Sequence, residues 1–278
     1  MAARTDLSPR RMLVLIAALS TPFYLLGQMS DARLMPGLPV SSLMFLCPAG
    51  VACWAAWRAG GFLKVRNLLG RVLDAPRTKP WTWHLVSATV FPAVLLAEYG
   101  MLHAFQQPLP LPAVAWIQAP VLFALFFATA ACEEVAWSAT LLEPLQRRFG
   151  VFRAGLLLGA FIAAWHVLPF WQAHPTASWV LGQSAFTVAF RIVVAWIYNV
   201  SGRSLFAAVV CHAGYNTAWQ LFPDRGSGYD PWTTAGLTWL VVALIVALFG
   251  TRGTRTLGGS SRVGDVGEHG DPDPDRPN

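Results

Sequence analysis

Eight apolar runs of near-spanning length recur along the chain, at about residues 12–28, 40–57, 83–105, 114–142, 154–171, 179–199, 204–222 and 235–250. A bilayer core needs about 20 apolar residues of helix to cross it. At a rise of about 1.5 Å per residue each run comes near that length once tilt is allowed, although the last is short. The runs predict an all-α, polytopic membrane protein of about eight transmembrane helices. With 55% hydrophobic and only 12% charged residues, soluble domains of this length do not fit.

The net charge of +6 would suit a nucleic-acid partner, but the basic residues sit in short loops between apolar runs. Topology explains them better, so no nucleic acid is expected. Seventeen Lys and Arg fall in the terminal segments and alternate loops, two (Arg33 and Arg225) in the opposite loops, and Arg191 within a span. The positive-inside rule then places both termini in the cytoplasm. The first run follows Arg10 and Arg11 and reads as a retained helix, because no small-residue cleavage site follows it. Residues 1–257 form the membrane domain. The Gly-, Asp-, Pro- and Arg-rich tail 258–278 is expected to be a disordered cytoplasmic extension. Between the second and third runs, Phe62 to Leu73 reads as an interfacial helix. Cys47, Cys53, Cys132 and Cys211 show no paired spacing and read as buried packers.

Within this apolar frame, Glu133 and Glu134 stand side by side in the fourth run. Ionisable residues at membrane depth are expensive and mark function by default. Counting from the basic-loop end of each span puts Glu133 at about 14 Å, His166 at about 18 Å, Arg191 at about 12 Å, and His212 and Asn216 at about 12 and 18 Å. Four spans thus bring their polar residues to one layer. A lone buried histidine is more often satisfied by a carbonyl, and a lone Asn is more often helix–helix glue. Their agreement in depth argues for a site. His212 and Asn216, at i and i+4, can face one cavity. Glu133 and Glu134 diverge by about 100°, so one should face the cavity while the other is held by a structural partner. Glu98 remains unassigned.

Three short motifs in order, Glu133-Glu134-Val135-Ala136-Trp137-Ser138, Ile162-Ala163-Ala164-Trp165-His166 and His212-Ala213-Gly214-Tyr215-Asn216, resemble the CPBP family of intramembrane proteases. That family includes the CAAX prenyl endopeptidases and the bacterial Abi-type proteins, and its pattern is EExxxR, FxxxH and HxxxN or HxxxD. The resemblance covers about 120–220. It implies an intramembrane endopeptidase in which Glu133 is the general base, working with His166 on a water, while His212 and Asn216 donate to the oxyanion and Glu134 orients the site. Ile162 is a tolerable exchange for the family phenylalanine. Ser138 replaces the arginine that would neutralise Glu134, and Arg191, at a similar depth, is the expected substitute. The substrate is a membrane-associated protein or peptide, reaching the site laterally or from the cytoplasmic face, and no cofactor is required.

Three other readings compete. A zinc site could use Glu133, His166 and His212, a scaffold or immunity-type binding protein would tolerate the lost arginine, and a proton-coupled transporter would also gather Glu, His and Arg at mid-depth. The Ala-, Arg- and Gly-rich composition points to a bacterial cytoplasmic membrane.

Overall fold

The structure is a computed structural model, and it describes residues 7–75, 80–105, 110, 117–226 and 228–250. The expectation for the tail 258–278 lies outside the described residues.

The membrane helices follow the apolar runs. They are α1 (Pro9–Met29), α2 (Leu46–Gly70), α3 (Thr82–Phe105), α4 (Gln118–Ala136), α5 (Glu143–Phe149), α6 (Val151–Ala173), α7 (Ala177–Val200), α8 (Leu205–Leu221) and α9 (Pro231–Phe249). α4 and α5 are one continuous rod, joined by a π-helical turn at Trp137–Leu142. Among the described residues seven helical segments are long and apolar enough to cross a bilayer. The expected eighth, α8, is 17 residues long. At about 26 Å it is slightly shorter than the hydrocarbon core, and it is packed against α3, α4 and α7.

One feature of the connections was not legible in the sequence. Residues read as a plain loop after α1 form a small antiparallel hairpin, β1 (Arg33–Met35) and β2 (Leu38–Pro39), followed by a 3-10 turn at Val40–Phe45. Gly37 at its tip has φ +78° and lies so close to Trp219 that a Cβ would fall 2.6 Å from the indole. α2 breaks at Gly60 and Gly61, the latter at φ +66°, a conformation that side chains oppose. The segment beyond that break is helical through Leu73, as expected for Phe62 to Leu73.

α7 is the most buried span. Its tightest neighbour is α6, where Gly155 and Gly159 let the backbones approach: a Cβ on Gly159 would lie 3.0 Å from Val188 Cα, and one on Gly155 would lie 3.2 Å from Ile192 Cα. Small residues four apart are a recurrent device for close helix contact in membranes.

α1 runs parallel to α6, since Ser20 bonds Trp165 and Tyr24 bonds both Trp165 and Gln172. Phe249 at the end of α9 meets Trp196 near the end of α7. Both ends of the described bundle therefore lie with the 150 and 201–204 turns. Ten of the described Lys and Arg gather at this end, and Arg33 and Arg225 lie at the other.

The basic end is closed by polar clasps. Asp74 accepts from Ser204 Oγ at 2.7 Å and from the Leu205 and Phe206 amides at 3.1 Å each, capping the α8 N-terminus. Arg71 donates to the Tyr198 hydroxyl at 2.6 Å and to the Arg203 carbonyl at 3.1 Å, and Arg203 pairs with Glu143 at 2.5 Å. At the opposite end the buried Glu98 of α3 accepts from the Asp230 amide at 2.7 Å and from the Thr234 hydroxyl. It thereby anchors the start of α9, a structural task for the acid left unassigned.

Candidate active site

Glu133, Glu134, His166, Arg191, His212 and Asn216 all line one cavity of about 430 Å³. Four helices therefore converge on the layer that depth counting predicts.

The two acids have different surroundings. Glu134 is fully buried, and its carboxylate is saturated. Oε1 accepts from Arg191 Nη1 at 2.9 Å and from His212 Nδ1 at 2.9 Å. Oε2 accepts from Arg191 Nη1 at 3.0 Å and from Ser138 Oγ at 2.5 Å. Ser138 Oγ in turn accepts from Arg191 Nη2 at 3.1 Å, closing a ring of three side chains. A carboxylate offers about four acceptor positions, and none is left here for a water. An anion this buried needs such compensation to stay charged.

Glu133 is 9% exposed and accepts one bond, from Trp137 Nε1 at 3.0 Å. Most of its acceptor capacity remains open to the cavity. Trp137 and Ser138 were missed as functional partners, although each sits four residues after the acid that it bonds, the spacing of neighbours on a helix face. The π turn begins at Trp137 and lets the Thr140 hydroxyl reach the Val135 carbonyl at 2.7 Å. Single π turns of this kind recur at functional sites.

The histidine tautomers follow from their partners. His166 Nδ1 lies 2.9 Å from the Ile162 carbonyl, which can only accept, so Nδ1 carries the proton and Nε2 holds a lone pair in the neutral ring. The ring stacks on Phe170 at 5.2 Å and meets the edge of Trp165 at 4.6 Å. His212 Nδ1 likewise donates to the Glu134 carboxylate, so its Nε2 donates only when the ring is doubly protonated. Asn216 makes no hydrogen bond from its side chain among the described residues and keeps its amide free toward the cavity. Farther along the wall Gln183 bonds both Tyr229, at 3.0 Å, and Tyr215, at 3.4 Å, a polar group that the sequence reading did not single out.

Among the described residues no three His, Cys, Asp or Glu side chains form a group that could hold a metal ion, Glu133, His166 and His212 included.

Depth counting locates the polar layer but does not say which half of the bundle is hollow. α6, α7 and α8 line the cavity only from Ile162, Arg191 and His212 onward in space toward the hairpin, and the hairpin and its 3-10 turn complete the wall. Toward the basic end, Trp137, Leu141, Leu142, Tyr198 and Leu205 are at most 1% exposed. The polar layer is thus the floor of a cavity whose walls run away from the basic loops. At the rim His174 stacks on Trp179 at 4.1 Å, and burial together with nearby Arg33 holds its pKa below the usual histidine value.

Residues 115–218 match the family described as Rce1-like, Type II CAAX prenyl endopeptidase Rce1-like. The matched segment runs from the start of α4 into α8 and holds all six residues. The chain is also similar to CAAX prenyl protease 2 of the archaeon Methanococcus maripaludis, at 27% identity over 101 residues, 34% of this chain and 37% of that protein. The chain thus spans little more than a third of the length of the curated relative that it matches.

Proposed function

With residues 115–218 matching the Rce1-like CAAX prenyl endopeptidase family, we propose that this integral membrane protein is an endopeptidase of membrane-associated proteins or peptides that uses Glu133 as its general base. The observation that carries this reading is the asymmetry of the two acids: Glu134 is saturated by Arg191, Ser138 and His212, while Glu133 has one bond and faces the cavity.

A water held between Glu133 and His166 Nε2 gives its proton to Glu133 as its oxygen adds to the scissile carbonyl. The carbonyl oxygen becomes an oxyanion, which accepts from the Asn216 amide and from His212 Nε2 when that ring is doubly protonated. Collapse breaks the C–N bond, and Glu133 returns its proton to the leaving amine. Glu134 does not react. It fixes the His212 tautomer and is held in place by Arg191.

Ser138 in place of the family arginine no longer favours an inert scaffold, because the guanidinium reaches Glu134 from α7 instead. The test is cleavage of a membrane-anchored peptide by purified wild type, Glu133→Gln and His166→Ala, each with and without a chelator. We expect Glu133→Gln to lower kcat by at least about 100-fold, the scale of lost general-base catalysis, and chelation to change nothing. Full activity in Glu133→Gln defeats the mechanism, and loss on chelation alone turns it toward a metal.

A further inference from the structure

The cavity floor is the Glu134–Arg191 pair, and its walls climb through Phe170, Trp179 and Trp219 to the hairpin. The other end is packed shut by Trp137, Leu141 and Tyr198 and clasped by Asp74, Arg71 and Arg203. That shut end carries ten of the described Lys and Arg, against two at the hairpin end. Loops rich in Lys and Arg are retained in the cytoplasm. The two observations cannot both hold for a site loaded from the cytoplasm.

We propose that the cavity is loaded from the non-cytoplasmic face, past the hairpin, by an apolar segment of a protein that crosses the membrane or is anchored in its outer leaflet. This extends the proposed peptidase reading by assigning the side and class of its substrate. The walls suit such a segment, since aromatic rings from Phe45, Phe126, Trp165, Phe170, Trp179 and Trp219 surround the space above the polar floor. Gln183, Thr187 and Tyr215 are among the polar groups on the wall between rim and floor, where an extended backbone would pass.

Sidedness can be measured without relying on catalysis. In a background with Cys47, Cys53, Cys132 and Cys211 replaced by Ala, one cysteine is introduced at Ser42, partly buried on the cavity wall beside the hairpin, or at Lys64, exposed beyond the break in α2. Size-exclusion behaviour matching that of the wild type establishes that the background is folded. Intact cells are treated with a charged, membrane-impermeant maleimide, and the remaining thiols are counted after lysis. We expect Ser42→Cys to be blocked at least tenfold faster than Lys64→Cys in intact cells, and Lys64→Cys to react once the membrane is permeabilised. The opposite order, or no reaction of Ser42→Cys on either side, overturns the proposal. Adding Glu133→Gln should leave the labelling pattern unchanged. Retained cleavage in Glu133→Gln would defeat the peptidase mechanism while the labelling still reported the side, so the two failures are distinguishable.

Discussion

Arg191 is a cation with an assigned anion and a nearly closed coordination. Removing it leaves Glu134 as a buried charge with no counter-ion, so Arg191→Met should lower stability by about 3–5 kcal/mol, read as a fall in the thermal midpoint in detergent. Ser138→Arg placed on top of Arg191→Met should recover most of that loss, because it returns a guanidinium to the acid from the position where the family carries it. The same Ser138→Arg in the wild-type background should destabilise, since Ser138 is fully buried and Arg191 already fills the space. This pairing was legible from the depth of two residues in separate spans. The saturation of Glu134 was not, because the His212 tautomer depends on a contact between residues 78 apart that no local pattern encodes. Sequence placed His212 as a plain oxyanion donor, whereas its bond to Glu134 makes donation from Nε2 conditional on a second proton.

At the level of elements, the contact between α6 and α7 sets the position of the arginine. A Cβ on Gly159 would meet Val188 Cα and O at 3.0 Å and Arg191 Cβ at 3.1 Å, so Gly159→Ala must push α7 outward and carry Arg191 with it. We expect a loss of about 1–3 kcal/mol, together with a fall in kcat, in the thermal and cleavage assays. Gly155→Ala, whose three nearest contacts are with Ile192 and Ala195, the first the Ile192 Cα at 3.2 Å, should cost less stability and spare kcat. The helices themselves were readable as apolar runs because lipid leaves the backbone so few alternatives. The hairpin at Arg33–Pro39 was not, because its strands are three and two residues long, too short for an alternating pattern to register. The π turn was hidden for a related reason: it changes hydrogen-bond partners without interrupting hydrophobicity.

For the whole molecule, the ends of the bundle do different work, one clasped by polar bonds and the other hollow. Glu98 belongs to this larger scale, since it ties α3 to the start of α9, 132 residues away. Glu98→Ala should leave the Asp230 amide unsatisfied and lower stability by about 1–3 kcal/mol, while cleavage per folded molecule stays unchanged. Loop charge made the alternation of the spans readable, but which half encloses space depends on side-chain packing summed over several helices. The Glu134–Arg191 pair also bears on how the chain enters the membrane. Its members are 57 residues apart, so α4 is synthesised with two acids at mid-depth and their counter-charge not yet made. A charged residue at the centre of an inserting helix costs about 2.5–3.5 kcal/mol. An arginine at position 138 would travel in the same helix as the acid, whereas with serine there the counter-charge arrives only with α7. The site and the order of membrane assembly are thereby linked through a single residue choice.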